Sequence, residues 1–334
     1  MGVRVGVVGA AGAVGETLLS VLAERDFPVD RLRLLATVRS AGRAVRWRDT
    51  EVVIEETRPD SFAGLDVCFL AVPGAQVSRT LAPLAVAAGA AVIDKGSAFR
   101  MDPAVPLVVP EVNPDAVRPG PGIIASPNCT TIPLVLCLQP LRAAAGIRRV
   151  IVSTYQSASG AGHAAVGELR RGAVAILAGD PAEAEIFPRP LAFNVVPQCD
   201  RFAEDGFTQE EWKLVRETRK ILGAPSLRLA ATAARVPVFV GHSESVYVET
   251  ESPLTAARAR ELLSQAPGVE VRDDPERGVY PTARDVEGTD LAQVGRIRQD
   301  PDDPCGLHLW IVGDNLRKGA ATNAVQIAEE WIRR

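Results

Sequence analysis

The stretch Gly9-Ala10-Ala11-Gly12-Ala13-Val14-Gly15 follows an apolar run at 3–8 and precedes a helix-like segment at 15–25. Glycines spaced GxxGxxG allow a tight turn and a close approach of the backbone to a ligand. The unpaired N–H groups at the start of the helix that follows can bind a pyrophosphate. The stretch therefore predicts a strand–turn–helix unit that binds a dinucleotide. The alternative is a glycine turn of purely structural use.

Short apolar runs alternate with helix-like segments through the first third of the chain. We expect strands at 3–8, 32–36, 52–55, 67–72 and 91–94, helices at 15–25 and 76–88, and two further strands at 107–112 and 123–125. Such alternation is typical of a parallel sheet covered by helices. With the glycine turn, it predicts an α/β fold that contains a Rossmann-type dinucleotide-binding domain.

The pattern changes near Asn128. We expect a helix at 132–145, then strands at 148–155, 227–235, 236–240 and 245–251, helices at 208–222 and 255–265, and a closing helix at 323–334. These later strands alternate more strictly between apolar and polar residues, which is typical of sheets with one buried face. We therefore expect a second, α+β domain with a mixed sheet, and 334 residues are enough for two domains.

The composition excludes several classes of protein. With 47% hydrophobic residues, 23% charged residues and a net charge of −4, the chain is globular and lacks the basic field of a nucleic-acid-binding protein. No apolar run reaches the ~18 residues of a membrane span. The first residues enter a strand pattern without a signal peptide. The five cysteines form no CxxC pair. We therefore expect a reduced, cytoplasmic protein with no partner membrane, no nucleic acid and no metal site.

The residues after the second predicted strand bear on the kind of dinucleotide. An Asp or Glu at this place binds the ribose 2′-hydroxyl of NAD. The stretch Ala36-Thr37-Val38-Arg39-Ser40 contains no carboxylate. Arg39 and Ser40 suit an anionic 2′-phosphate instead. We therefore predict NADP as the cofactor, with a solvated surface arginine as the alternative.

Cys129 lies in Ser126-Pro127-Asn128-Cys129-Thr130-Thr131, directly before the helix predicted at 132–145. The helix dipole and the free N–H groups there favour a thiolate and can also hold an oxyanion. With a nicotinamide cofactor, a thiolate that adds to an aldehyde and loses a hydride leaves a thioester, which phosphate or water then cleaves. The alternative is a small buried residue, as we expect for Cys68 and Cys137.

Other polar residues suit such a reaction. His242, in the stretch GHSE at a break between two strand patterns, is a candidate proton partner for the cysteine, or a structural histidine. Glu210 and Lys213 share a helix face, either to bind a zwitterionic or phosphorylated substrate or as a surface ion pair. Thr208 and Glu211 form a capping box, which gives Glu211 a local structural role.

Eight stretches together resemble the aspartate-semialdehyde dehydrogenase family nearly from end to end. In order they are GAAGAVG, VRSAG, KGSAFR, SPNCTT, TYQSASGAG, EEWK with ETRKIL, RVPVFVGHSE and GDNLRKGAATNA. The resemblance implies an enzyme of amino-acid biosynthesis that converts 4-aspartyl phosphate reversibly to aspartate 4-semialdehyde. Cys129 would form the acyl-thioester, and His242 would act as the acid–base residue.

The resemblance also implies binding roles. Gln156 would orient the substrate, Arg235 would bind its α-carboxylate and Glu210 its α-ammonium. Arg100, Asn128 and Lys213 would contact the phosphate. The NADP site would include Gly9, Ala11, Gly12, Ala13, Val14, Arg39, Ser40, Ser159, Gly160 and Asn315.

Domain organisation and assembly follow from the same resemblance. It implies an NADP-binding domain at 1–127 completed by the C-terminal segment 316–334, a catalytic and dimerisation domain at 128–315, and a homodimer or homotetramer.

Related acyl-phosphate reductases are an alternative function. One of them, the N-acetyl-glutamyl-phosphate enzyme, acts on an acylated amine, which needs no Glu210. A non-catalytic NADP-binding homologue is another alternative, which would have little reason to keep Cys129, Gln156 and His242 together.

Overall fold

The computed structural model describes residues 2–72 and 74–334. The chain forms two compact units. The first extends to Asn128 and includes Ala320–Arg334, and the second is Cys129–Gly319. Within the described ranges, no helix has both the length and the apolar character needed to cross a membrane. Nor do the described residues place three or more His, Cys, Asp or Glu side chains so that they could hold a metal ion.

The first unit contains a largely parallel sheet. Its described strands are β1 (Val3–Val8), β2 (Val29–Ala36), β3 (Ala44–Trp47), β4 (Thr50–Glu56), β5 (Val67–Leu70), β6 (Ala91–Asp94) and β7 (Gly122–Ala125), in the spatial order β3-β4-β2-β1-β5-β6-β7. Only the pair β3–β4 is antiparallel. Helix α1 (Ala13–Glu24) follows β1, and α2 (Ala75–Ala87) follows β5. The predicted α/β architecture with a Rossmann-type sheet is confirmed.

Apolar layers cover both faces of this sheet. One layer joins Val5 of β1 to Leu18 of α1 and to Val325 of the C-terminal helix, Thr322–Arg333. The other joins Leu70 of β5 to Ala82 of α2. Strands that are buried on both faces are nearly continuous apolar runs in sequence, which is why their positions could be predicted.

The second unit contains a mixed sheet, as predicted. Its described strands are β8 (Arg149–Gln156), β9 (Arg228–Arg235), β10 (His242–Glu249), β11 (Val269–Val271), β12 (Ala292–Gln299) and β13 (Gly306–Gly313), in the order β11-β12-β13-β10-β8-β9. The pairs β8–β9 and β11–β12 are parallel and the others antiparallel. The helices are α3 (Thr131–Ala145), α4 (His163–Ala178), α5 (Gln209–Ile221), α6 (Ala256–Ser264) and the short α7 (Ala283–Val286).

Two predicted strands are wrong, and prolines explain both. The segment 107–112 pairs with the sheet only at Leu107 and then turns, because Pro110 has no N–H to donate to a ladder. The segment 236–240 contains Pro237 and ends at Gly241, whose φ is +92°. Its carbonyl groups instead accept hydrogen bonds from the N–H groups of Ala158 and Ser159. This irregular segment therefore supports the turn that follows β8.

Candidate active site

A cavity of about 700 Å³ lies beside the glycine turn of the first unit. Its walls come from the turn, the ends of β2 and β4, and α2. Gly9 has a φ of +84°, and a Cβ there would lie 2.4 Å from the carbonyl oxygen of Ala71. A Cβ at Gly15 would lie 2.2 Å from the carbonyl oxygen of Gly9. These two positions accept only glycine, and the open backbone before α1 suits a pyrophosphate.

The residues predicted to bind the cofactor in this unit lie on the cavity wall or next to it. The lining includes Gly9, Ala11, Gly12, Arg39 and Ser40, and the first two residues of α1 are Ala13 and Val14. Glu56 also lines the cavity, but its carboxylate pairs with Arg58 at 2.8 Å. The exposed Arg39 brings a positive charge to this end of the cavity that suits a phosphate.

Two predicted phosphate ligands follow strands of the same sheet. Arg100 follows β6 and is buried, and its guanidinium donates a hydrogen bond to the carbonyl oxygen of Lys95 at 2.7 Å. Asn128 follows β7, is also buried, and directly precedes Cys129. Both residues therefore come after the carboxyl ends of parallel strands, where ligands bind in open α/β sheets.

Cys129 stands two residues before α3 and is only partly buried. Gly319 packs against it, because a Cβ at Gly319 would lie 3.0 Å from the Cβ of Cys129. Burial raises the pKa of three other cysteine thiols, that of Cys68 and of Cys199 to about 12 and that of Cys137 as well. These three are neutral thiols at pH 7. Cys68 and Cys137 are core residues, as predicted.

Three adjacent strands of the second sheet bring predicted site residues to one edge. Gln156 ends β8 and pairs in register with Arg235, which ends the parallel strand β9. His242 begins β10, which is antiparallel to β8, so it lies at the same edge. A Cβ at Gly160 would lie 2.7 Å from Arg235 Nη1 and 3.1 Å from His242 Nε2. Gly160, Arg235 and His242 therefore meet at one point.

His242 is 1% exposed and has hydrogen-bond partners on one side of its ring. The backbone N–H of Ser157 donates to Nδ1 at 3.0 Å, and the Ser157 hydroxyl lies 3.1 Å from the same atom. Nε2 has no hydrogen-bond partner among the described residues. Burial, followed by the positive charge of Arg235, lowers the pKa of His242 to about 3. The imidazole is therefore neutral near pH 7.

Ser159 and Asn315, which the resemblance assigned to the cofactor, hold the backbone around His242. The carboxamide oxygen of Asn315 accepts the backbone N–H of Gly241 at 2.9 Å, and its Nδ2 donates to Ser159 Oγ at 2.9 Å. Ser159 Oγ lies 3.1 Å from Ser157 Oγ. These bonds join the residue before β10 to the turn after β8. Sequence reasoning gave Ser157 no role, although it lies inside the quoted stretch TYQSASGAG.

Gln156 belongs to a buried chain of charged and polar groups. Its Nε2 donates to Glu210 Oε1 at 3.2 Å, and Lys213 Nζ donates to Glu210 Oε2 at 3.0 Å. Lys213 also pairs with Asp200 at 2.7 Å, a partner that no sequence signal indicated. Burial alone would lower the pKa of Lys213, but the two carboxylates outweigh it and raise that pKa. Glu210 is 6% exposed, while the side chain of Lys213 is 24% exposed, so the pair is partly buried.

Glu211 serves the start of α5, as its sequence position predicts. Its Oε2 accepts the backbone N–H of Thr208 at 2.6 Å, and its own N–H donates to Thr208 Oγ1 at 3.3 Å, which completes a capping box. Its Oε1 also accepts the backbone N–H of Ala233 at 2.9 Å and so ties the helix to β9. The adjacent Glu210 and Glu211 therefore differ in their partners: Glu210 bonds side chains, and Glu211 accepts backbone N–H groups.

Glu244 is a third residue that sequence reasoning missed, after Ser157 and Asp200. It lies two residues after His242 on the same face of β10, is 0% exposed, and neither carboxylate oxygen has a hydrogen-bond partner among the described residues. Its cross-strand neighbours are Thr154 and Ile311. Burial raises the pKa of this carboxyl well above its usual value. The period-2 alternation of β10 was the available signal, because it places residues 242, 244 and 246 on one face.

This buried carboxyl predicts a pH-dependent stability. Because the folded state binds its proton more tightly than the unfolded state, the stabilisation is complete below the ordinary pKa of about 4.3 and is lost as pH rises towards the folded value. Glu244→Gln should therefore unfold at a higher temperature than the wild type at about pH 8, and the difference should disappear near that ordinary pKa. Glu249→Gln, at a partly exposed site paired with Arg148, is the control. A pH-independent difference in Tm for Glu244→Gln would contradict this prediction.

Comparison with known families defines the class of protein first. A family model described as "Semialdehyde dehydrogenase, NAD binding domain" matches residues 4–119, and one described as "Semialdehyde dehydrogenase, dimerisation domain" matches residues 138–318. Together they cover most of the chain. The fold is that of a semialdehyde dehydrogenase, an enzyme that binds a nicotinamide dinucleotide.

Individual relatives narrow the class. Aspartate-semialdehyde dehydrogenase from Bacillus subtilis is 48% identical, with 98% of this chain and 97% of the relative aligned. The crystal structure of aspartate semialdehyde dehydrogenase II from Vibrio cholerae, complexed with ASA, has a TM-score of 0.96 at 44% identity and covers 100% of this chain and 99% of its own. The crystal structure of a Candida albicans aspartate semialdehyde dehydrogenase with NADP has a TM-score of 0.76 at 26% identity. It covers 99% of this chain and 98% of its own. The chain belongs to the aspartate-semialdehyde dehydrogenase family.

Proposed function

We propose that this chain catalyses the reversible, NADP-dependent reductive dephosphorylation of 4-aspartyl phosphate to aspartate 4-semialdehyde. The observation that carries the proposal is the buried edge of the second sheet, where Gln156, Arg235 and His242 stand on three adjacent strand ends. Glu210 bonds Gln156 there. Arg235 offers a positive charge for the α-carboxylate of an aspartyl substrate, and Glu210 offers a negative charge for its α-ammonium group. The ASA bound to the Vibrio cholerae relative supports the same substrate class.

The chemistry assigns a step to each of two residues. The Cys129 thiolate attacks the acyl carbon, the bond from that carbon to the phosphate oxygen breaks, and a thioester remains. Bound NADPH supplies the hydride that reduces this thioester. The carbon–sulfur bond then breaks, which releases the aldehyde and the Cys129 thiolate. His242 serves as the acid–base residue at the reacting oxygen.

Substrate recognition rests on charge. Arg235 binds the α-carboxylate with its planar fork, and Glu210 binds the α-ammonium group. Arg100, Asn128 and Lys213 contact the phosphate. Lys213 bonds two carboxylates in this structure, so a phosphate contact would replace one of them. A related reductase that acts on an acylated amine would leave the buried Glu210 carboxylate without its partner, and the relatives found do not favour that alternative.

The test is a spectrophotometric assay of NADPH formation from aspartate 4-semialdehyde, with and without inorganic phosphate. We expect rapid formation that depends on both compounds, because phosphate is the acceptor that cleaves the thioester. Semialdehydes without an α-ammonium group are the matched control substrates and should react poorly. Phosphate-independent formation, or equal rates with the control substrates, would contradict the proposal.

We infer that the preferred cofactor is NADP, and Arg39 provides a prediction. Arg39→Ala should raise KM for NADP by about 10- to 100-fold, the equivalent of a charge-assisted hydrogen bond, and should change KM for NAD little. Steady-state kinetics with both cofactors measure this. Arg43→Ala is the matched control, because Arg43 is exposed, lies outside the cavity lining and faces Glu16 at 3.5 Å. A wild-type preference for NAD, or equal losses with both cofactors, would refute the prediction.

We also infer a homodimer or homotetramer in the cytoplasm. Helices α3, α5 and α6 contact one side of the second sheet. On the other side, the rings of Tyr155 and Trp310 lie 5.5 Å apart beside a cavity of about 570 Å³. A second copy would cover these aromatic rings. Light scattering should give the mass of a dimer or tetramer, and a monomer at micromolar concentration would contradict the inference. The cytoplasmic location rests on the cysteine content of the sequence.

A further inference from the structure

A third cavity, of about 520 Å³, lies in the second unit and is called the arginine cavity here. Its walls come from the end of α3, from the segments that lead into β8 and β9, and from Glu251, which follows β10. Gln156 and Arg235 stand at the other ends of β8 and β9, so the candidate active site is roughly 23 Å away along these strands. The volume suits a small organic molecule. The proposed reaction uses none of its lining residues.

Three arginines bring positive charge to the arginine cavity. Arg142 of α3 is half-buried, and Arg148 and Arg228 are exposed where the chain enters β8 and β9. Arg148 already pairs with Glu249 at 2.7 Å. The guanidinium groups of Arg142 and Arg228 have no hydrogen-bond or ion-pair partner among the described residues. Two unpaired guanidinium groups on one cavity suit a ligand with two carboxylates.

Acceptor groups line the same cavity. The carboxylate of Glu251 lies over Gly146, because a Cβ there would be 2.5 Å from Glu251 Oε2, and this carboxylate has no partner among the described residues. The carboxamide oxygen of Gln139 is buried and also lacks a hydrogen-bond partner within the described ranges. Helix α3 ends at Ala145, so the partial negative charge of its C-terminus is close by. These acceptors suit an ammonium group, which can only donate.

We propose that the arginine cavity is a second ligand site, which binds an acidic α-amino acid. Arg142 and Arg228 each receive one carboxylate, and Glu251 with Gln139 receives the ammonium group. A simple dianion would leave Glu251 facing a like charge, and a simple amine would leave the two arginines facing one. The zwitterion with two carboxylates is the ligand class that matches all of these charges. This binding goes beyond the proposed function and does not depend on it.

Four elements connect the arginine cavity with the candidate active site. Helix α3 begins just after Cys129 and ends at the cavity, and β8 and β9 start at the cavity and end at Gln156 and Arg235. Helix α5 has Glu210 in its first turn, and Gly223, which follows its end, lines the cavity. A ligand there contacts the distant ends of the elements that carry these side chains. We therefore expect its binding to alter the affinity for the aspartyl substrate, and this second step rests on the proposed function.

Calorimetric titration of the wild type with three related probes tests the ligand class. L-Glutamate has two carboxylates and an ammonium group, glutarate lacks the ammonium group, and L-glutamine lacks the second carboxylate. We expect L-glutamate to bind with a Kd between about 10 µM and 1 mM, and the other two to bind about 10-fold or more weakly, because each leaves a charged group of the cavity unpaired. Inorganic phosphate is the probe for a simple anion. Equal affinity for L-glutamate and any of these three compounds, or no binding of L-glutamate at about 10 mM, would overturn the proposal.

Substitutions locate the binding. Arg142→Ala and Glu251→Gln should each weaken the binding of L-glutamate by about 10-fold or more, the equivalent of a lost charge-assisted hydrogen bond. Arg258→Ala is the matched control, because Arg258 is an exposed arginine of α6 outside the cavity lining. Glu210→Gln changes the candidate active site and should bind L-glutamate as the wild type does. Loss of binding in Glu210→Gln, or unchanged binding in both cavity variants, would overturn the proposal.

Steady-state kinetics test the coupling separately. Saturating L-glutamate should change the KM of the wild type for aspartate semialdehyde by at least about fivefold, and the change should level off as the cavity fills. Arg142→Ala should need about 10-fold more L-glutamate for the same change. A KM that rises without limit would indicate competition at the active site and would overturn the coupling, as would an unchanged KM. Binding of L-glutamate to a protein without phosphate-dependent turnover would uphold the second site and refute the proposed function.

Discussion

Cys129→Ala is expected to abolish the phosphate-dependent formation of NADPH from aspartate semialdehyde, with a loss on the order of 10⁴-fold or more. Alanine cannot form the thioester, and hydride transfer has no route around that covalent step. The cavity for the dinucleotide lies in the first unit, beside the glycine turn, and contains no atom of Cys129. Calorimetric titration with NADP should therefore give the affinity of the wild type.

Cys305→Ala is the matched control for this substitution. Cys305 is also partly buried, and it lies in a loop for which neither the sequence nor the structure indicates a role. Its replacement should leave turnover within about twofold, as expected of a substitution away from special features. Substantial turnover in Cys129→Ala would remove Cys129 from the nucleophilic role. Loss of NADP binding in that variant would show that the substitution damaged more than the chemistry.

Glu210→Gln is expected to impair turnover, whereas Glu211→Gln is expected to impair stability. Glu210 faces Gln156 and Lys213, so its neutralisation should lower kcat/KM by about 10²- to 10³-fold, through the loss of the charge that receives the ammonium group. Its effect on stability should be small, because Lys213 keeps its bond to Asp200. Kinetics with aspartate semialdehyde and thermal unfolding of the same preparations measure both quantities.

Glu211→Gln should instead act on stability. Each oxygen of Glu211 accepts a backbone N–H, one from Thr208 and one from Ala233. A glutamine side chain offers one oxygen, so its NH₂ group would face the second N–H and leave it unpaired. This should lower the free energy of unfolding by about 1–3 kcal/mol and reduce kcat/KM far less than Glu210→Gln. Equal effects of the two substitutions on turnover would contradict this separation of roles.

The first sheet was predictable because its strands are buried on both faces. Their apolar runs at 3–8, 91–94 and 123–125 differ from the observed strands by at most one residue at an end. Strand β12 and helix α4 were not predicted. The α4 segment is rich in alanine and glycine, and no side chain caps its first turn, so it lacks the usual signals of a helix start. Pro110 and Pro237 interrupt the two wrongly predicted strands, whose apolar residues otherwise resemble a strand, because proline has no N–H to donate to a ladder.

The candidate site was predictable where its signals are local. Cys129 before a helix, the capping box of Glu211 and the shared face of Glu210 and Lys213 all depend on spacings of a few residues, and the structure shows each of these geometries. Most other site assignments came from the family resemblance. The burial of Glu244 and the bond between Lys213 and Asp200 had no comparably specific signal, because both depend on what packs against the residue.

The amino-acid sequence by itself determined the dinucleotide turn, the alternation of the first domain, and the place of Cys129 at a helix start. These features follow from interactions between residues close together in the chain, whose geometry is the same in any fold. The tertiary structure alone decided that Gln156, Arg235 and His242 share one edge of a sheet, and that Ser157 faces Nδ1 of a histidine 85 residues away. Strand order and register bring such residues together, and these depend on how whole faces pack, which no local spacing specifies.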